Sequence, residues 1–227
     1  MIKIYYINLE CSNKRKLYMN KTYPTSKRIE AYDGIKLDTY KNIQYPKNTK
    51  QTNNELACSL SHIKAIIEAY NDNCEKAIIL EDDIKHIVPL TIIEKKIQEY
   101  PKDTECIQLF ISNIKEVERM SLLKNNYELW NSEKWSTGAY CIFRKGMEKI
   151  INKFYKDNII NIDIPLHNYV ADNGILYNNI KTYSYTKPLF INMLFDSAIK
   201  KGDNSRKKIE KEIHFFISNY IKKNYKK

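Results

Sequence analysis

Residues 77–83 read Ala-Ile-Ile-Leu-Glu-Asp-Asp. The four apolar residues, opened by Lys76, are too few for a helix of their own and predict a buried strand. Glu81, Asp82 and Asp83 then fall at the strand's carboxyl end, the edge where open α/β sheets place their ligands. Three adjacent carboxylates repel one another, and a hard cation or water must take up the charge. Oxygen-rich sites of this kind suit Mg²⁺ or Mn²⁺ bridging to phosphates. A solvated acidic loop is the simpler alternative, so the surrounding sequence has to decide.

Working outward, apolar and periodic segments alternate. Ile2 to Leu9 predicts a first strand, followed by a polar helix through Asn13, Arg15 and Lys16. Arg28 to Tyr32 predicts a second strand closed by an Asp33-Gly34 turn, and residues 38–54 read as a loop. Glu55 to Tyr70 is the clearest helix, with Leu56, Leu60, Ile63, Ile67 and Tyr70 on one stripe and Asn53 or Asn54 as its cap. A helix over Leu90–Tyr100 stops before Pro101. Strands follow at Cys106–Ile111 and Gly138–Arg144, then a helix at Lys145–Tyr155, a short helix after Asp163 and Pro165, and a strand near Ile180–Tyr185. This alternation predicts an α/β domain with a largely parallel sheet flanked by helices.

The 227 residues, 43% hydrophobic and 29% charged, fit one soluble globular unit with a sizeable core. The net charge of +11 suggests nucleic acid until it is located. Residues 200–227 hold ten Lys or Arg against Asp203, Glu210 and Glu212, so +7 of the charge lies in the tail, away from the acids. No nucleic-acid partner is expected. Arg206 to Tyr220 carries Ile209, Ile213, Phe216 and Tyr220 at helical spacing, a basic amphipathic helix that either meets an anionic membrane surface or packs its stripe on the domain. We therefore expect a catalytic domain over 1–199 and a basic tail helix over 200–227.

Cys11, Cys58, Cys74, Cys106 and Cys141 are odd in number and widely spaced, which fits reduced thiols in the cytoplasm better than a disulfide framework. Cys58 and His62 stand at i, i+4, a zinc-compatible spacing, although two ligands without a second pair are a weak signal. Met1 to Leu9 has neither the length of a membrane span nor the layout of a signal peptide. The expected location is cytoplasmic, with contact at the membrane surface through the tail.

Taken together, the segments resemble glycosyltransferase family 25, which holds lipooligosaccharide and procollagen sugar transferases. Ile7-Asn8-Leu9 with Arg15 matches its opening motif, Arg28 through Gly34 its "R…A.DG", and Leu56 through His62 its "GC..SH". Glu81-Asp82-Asp83 matches its "LEDD", Gln108-Leu109 its "lqL", Gly138-Ala139-Tyr140 its "G..aY", and Asp163 its "vD". Ser197 and Ile199, after Pro188, resemble its closing "S.I". Ala57 stands where the family has glycine, Phe110 where a small residue is common, and 112–135 matches nothing in the pattern.

The resemblance implies a GT-A-like fold and inverting transfer of galactose or glucose from a UDP-sugar to a glycan, glycolipid or hydroxylysine acceptor. It further implies Mn²⁺ or Mg²⁺ at Asp83 with Glu81. Asn8, Arg15, Asp33, Gly34, Glu81 and Asp82 become candidates for holding the nucleotide. Asp163 is the candidate general base, with helix N-cap as its rival role. His62 and Ser61 are candidates for touching donor or acceptor, against a packing role. A metal-dependent phosphoryl-transfer enzyme or nuclease, and a non-catalytic degenerate transferase, are the alternative functions.

Overall fold

A computed structural model describes residues 2–47, 51–162, 171–195 and 204–224. The chain runs β1 (Lys3–Asn8), α1 (Asn13–Thr22), β2 (Lys27–Glu30), a 3₁₀ turn (Gly34–Thr39), β3 (Ile43–Gln44) and α2 (Asn53–Asn71). It continues through β4 (Lys76–Glu81), β5 (Ile84–His86), α3 (Leu90–Lys96), β6 (Cys106–Gln108), α4 (Ile114–Ser121), β7 (Tyr127–Leu129), β8 (Ala139–Phe143) and α5 (Arg144–Phe154). β9 (Tyr155–Lys156), β10 (Ile159–Asn161), a π-helical turn (Ala171–Tyr177), β11 (Thr182–Tyr185), β12 (Phe190–Asn192) and α6 (Asn204–Asn224) complete it.

Seven strands form the central sheet in the order β2-β1-β4-β8-β6-β11-β7. β2, β1 and β4 are mutually parallel, as are β6 and β11, while β8 and β7 run against their neighbours. The expected α/β arrangement of a mostly parallel sheet flanked by helices is the one observed.

Both faces of the sheet are covered, which explains an unbroken apolar run where a one-sided strand would alternate. Ala77 and Ile79 of β4 face a core built with Leu60, Ile63 and Ile66 of α2 and Met147 and Ile150 of α5. Ile78 and Leu80 face the opposite core, with Met19 of α1, Ile93 of α3, Val117 of α4 and Ile213 and Ile217 of α6. The period-2 alternation of strand side chains thus feeds two cores from one segment.

Some boundaries differ from expectation. The cap of α2 is Thr52, which forms a full capping box with Glu55; neither Asn53 nor Asn54 caps it. Residues 112–135 hold α4 and β7, neither of which the sequence reading anticipated. β8, anticipated as one more strand, is antiparallel to both β4 and β6. α6 buries Ile213 and Ile217 and packs Ile209 and Phe216 partly against the domain, so its stripe belongs to the core.

Candidate active site

Strand pairing brings the acids and their neighbours to one edge. Ile7 of β1 stands beside Glu81 of β4, and Asn8 beside Glu30 of β2, so all three strands end together. Because β8 runs the other way, the residues just before it, Ser136 to Gly138, arrive at the same edge, and the Glu81 amide donates to the Gly138 carbonyl at 2.9 Å. An open cleft of about 730 Å³ lies there, bounded by Leu9, Arg15, Tyr32, Gly34, Cys58, His62 and the three acids.

The three carboxylates have separate surroundings. Asp82 is 8% exposed and is held at both oxygens: Asn8 Nδ2 donates to Oδ2 at 2.7 Å and Arg15 Nη1 to Oδ1 at 2.6 Å. Asp82 and Asp83 form a turn between β4 and β5, not the extended segment that would point Glu81 and Asp83 to one side. Asp83 meets Arg15 at 3.6 Å while keeping 23% of its side chain exposed. Burial, then the negative charge of Glu81, pushes its carboxyl up to about 7, with Asp82 adding to the rise and Arg15 opposing it. Glu81 accepts from Thr137 Oγ1 at 2.8 Å, and its Oε1 lies 3.7 Å from His62 Nε2.

Asn8 and Arg15 line or border the cleft, as expected of nucleotide-holding residues, yet their contacts run to Asp82. Arg28 Nε donates to Asn8 Oδ1 at 3.0 Å, so the side-chain amide of Asn8 is fixed from both ends. Asp33 caps the 3₁₀ turn by accepting from the Ile35 amide at 2.9 Å. Gly34 lines the cleft where α2 begins, and a Cβ there would meet the Asn54 backbone nitrogen at 2.8 Å. Only glycine fits so close an approach. Ser61 accepts from the Tyr32 amide at 2.9 Å and donates to the Ala57 carbonyl at 2.6 Å, a packing role. His62 is fully buried with Nδ1 3.1 Å from the Tyr140 hydroxyl. Asp163, Ser197 and Ile199 lie outside the described residues.

Thr137 and Asp172 join the site without having been singled out, and Tyr140, read only as part of a strand motif, joins it through His62. Asp172 Oδ2 accepts from the Ser136 amide at 2.9 Å, holding Ser136 at φ 119, a conformation rare outside glycine. That turn sets Thr137 against Glu81. The visible signal was the Ser-Thr-Gly run before a strand; the link to Asp172 spans 36 residues and is not readable from spacing.

A structure of "a glycosyltransferase involved in the glycosylation of the major capsid of PBCV-1" is similar at a TM-score of 0.46 and 11% identity, covering 94% of this chain and 98% of that one. Galactosyltransferase LgtC, in complex with donor and acceptor sugar analogs, is similar at a TM-score of 0.35 and 12% identity over 80% of this chain and 73% of that one. Mouse xyloside xylosyltransferase 1 is similar at a TM-score of 0.33 and 11% identity, over 64% and 55%. No curated protein matches the sequence significantly. Residues 1–166 match the family described as "Glycosyltransferase family 25 (LPS biosynthesis protein)". With nearly three-quarters of its length inside that match, the chain belongs to glycosyltransferase family 25 and is a glycosyltransferase.

Proposed function

We propose that this enzyme transfers a hexose, galactose or glucose, from a UDP-sugar to a hydroxyl of a glycan, lipooligosaccharide or hydroxylysine acceptor, with inversion. Asp83 would be the direct ligand of a divalent ion, Mn²⁺ or Mg²⁺, with Glu81 assisting from the strand end before the turn. The observation that supports this most is the excess of carboxylate over cation at the inner end of the cleft. Asp82 is neutralised by Arg15, whereas Asp83 has a carboxyl pushed up to about 7, a group that a proton or a cation must stabilise. Hard oxygen donors on a short turn fit Mn²⁺ or Mg²⁺. Bound there, the ion supplies Lewis-acid stabilisation of the charge that develops on the departing diphosphate.

The chain's own residues do the rest. Asn8 and Arg15 fix Asp82, and through it the turn that presents Asp83. Arg15 is also the cation nearest the expected diphosphate, suited to charge-assisted hydrogen bonds. Gly34 keeps the cleft wall open beside α2. Asp163 takes the acceptor's proton as general base. His62, through its 3.7 Å approach to Glu81, keeps the inner wall dry and ordered.

The acceptor side is proposed to lie near a membrane. α6 turns Lys208, Lys211, Glu212, Phe215, Asn219, Lys222 and Lys223 outward, and Phe215 is 71% exposed on this face of four lysines and one glutamate. A basic face around an exposed aromatic ring suits an anionic lipid surface. Among the described residues no helix is long and apolar enough to cross a membrane.

The test is a melting-temperature screen against UDP-glucose and UDP-galactose with and without Mn²⁺, followed by a donor-hydrolysis assay. Stabilisation that needs both nucleotide sugar and metal is expected. A protein indifferent to every UDP-sugar plus metal contradicts the reading.

A further inference from the structure

The inner wall of the cleft holds a second, softer set of ligand atoms. Cys58 and His62 lie one turn apart on α2, on the side facing the end of β4, where Glu81 closes the strand. The thiol sulfur, a ring nitrogen and a carboxylate oxygen of these three residues all lie within 4.8 Å of one another. His62 Nε2 stands 3.7 Å from Glu81 Oε1. Two ligands of one tetrahedral ion, with metal bonds near 2.0–2.3 Å, sit about 3.3–3.8 Å apart. Cys58 is half-buried at the cleft, where the metal would draw its sulfur in.

Independently, His62 is 0% exposed and its Nε2 has no hydrogen-bond partner among the described residues. A buried ring nitrogen left without a partner is costly. Its other nitrogen is already engaged by the Tyr140 hydroxyl at 3.1 Å, and Thr137 orients the Glu81 carboxylate at 2.8 Å. Such outer contacts, one on the imidazole and one on the carboxylate, are what orients ligands around a metal. In the tautomer that places Nδ1–H toward the Tyr140 hydroxyl, Nε2 presents its lone pair to the space it shares with Cys58 and Glu81.

We propose that Cys58, His62 and Glu81 bind a thiophilic divalent ion, Zn²⁺ by preference, with the fourth coordination position open to the cleft. Three protein ligands with one open position is the arrangement of a reactive zinc site, not a closed structural one. Thiolate and imidazole select zinc over Mg²⁺ or Mn²⁺, which prefer oxygen. On binding, the Cys58 thiol gives its proton to solvent and the thiolate becomes the ligand. This goes beyond the donor-ion reading, which rests on Asp83; the two share Glu81.

Cobalt titration of the full chain in the absence of any nucleotide tests the site. The wild-type protein is expected to develop a thiolate-to-cobalt charge-transfer band in the near ultraviolet together with strong tetrahedral visible bands, both removed by one equivalent of Zn²⁺. Cys58→Ser is expected to abolish the charge-transfer band, and His62→Gln to weaken cobalt binding at least about tenfold. Asp83→Asn is expected to leave the spectrum intact, which separates this site from the donor ion. Should His62→Gln not fold, the half-buried Cys58→Ser change carries the test alone. The absence of the band in wild-type protein, its survival in Cys58→Ser, or its loss in Asp83→Asn overturns the proposal.

Discussion

The two ends of β1 and β4 handle acidic groups in opposite ways. At the amino end, the Asp72 carboxylate receives Lys3 Nζ at 2.6 Å, the Tyr5 hydroxyl at 2.7 Å and Lys27 Nζ at 3.1 Å. These partners, Lys3 first, hold its carboxyl far below the usual carboxylate range. At the carboxyl end, Asp82 and Asp83 both turn to Arg15, and Asp83 titrates near 7. One end has acids matched by cations, as stability demands. Among the described residues, the other end shares Arg15 between Asp82 and Asp83, an imbalance that distinguishes a candidate ligand site from a structural ion pair.

The largest expected effect is on catalysis. Asp83→Ala should reduce sugar transfer by about 10³-fold or more, the scale of losing an electrostatic stabiliser of the transition state, while circular dichroism stays native. Asp72→Asn at the opposite end should leave transfer unchanged. Equal activity losses in the two variants would erase the distinction between the ends.

Arg15→Met comes next. It strands Asp82 inside the protein and leaves Asp83 without its opposing cation, so unfolding by urea should register a loss of about 3 kcal/mol. Asp72→Asn, whose partners Lys3 and Lys27 are partly solvated, should cost only about 1–2 kcal/mol.

The pH dependence sharpens the contrast further. Asp83 has a folded value of about 7, above its ordinary 3.8, so the native state holds the proton that the unfolded chain releases. Its contribution to stability is therefore present at low pH and declines as pH rises through about 7. Asp72, depressed in the fold, contributes above its ordinary value of 3.8 and loses that contribution as pH falls toward its folded value. In metal-free protein, Asp83→Asn should raise the melting temperature by a few degrees at pH 8 and by nothing at pH 4. Asp72→Asn should lower it at pH 8. A rise in both variants at pH 8 would break the comparison.

Much of this was legible in the sequence because it is local. The run before Glu81, the spacing along α2 and the order of the motifs fixed the element sequence and named the edge where the acids meet. Three things were not local. Glu81, Asp82 and Asp83 read as one cluster at a strand's end, but the turn into β5 splits them, and Asp82 is drawn to Asn8 and Arg15 across 74 and 67 residues. The antiparallel entry of β8, which delivers Thr137 to Glu81, depends on pairing that periodicity does not encode. The pairing of Asp172 with the strained Ser136 likewise emerges only from the fold. α4 and β7 were missed because segments of 8 and 3 residues are too short to display a period. In α6, Ile209, Ile213 and Phe216 were read as apolar positions but the buried Ile217 was not, and only the packing against α4 and β12 shows which face lies outside the core.

Calorimetric titration of Mn²⁺ and uridine diphosphate into the wild-type protein and Asp83→Asn at pH 7.5 bears most directly on the role given to Asp83. Metal-dependent nucleotide binding in the wild type, lost or weakened at least about tenfold in the natively folded variant, is the predicted result. Equal nucleotide affinity in the two proteins, or binding indifferent to Mn²⁺, contradicts it.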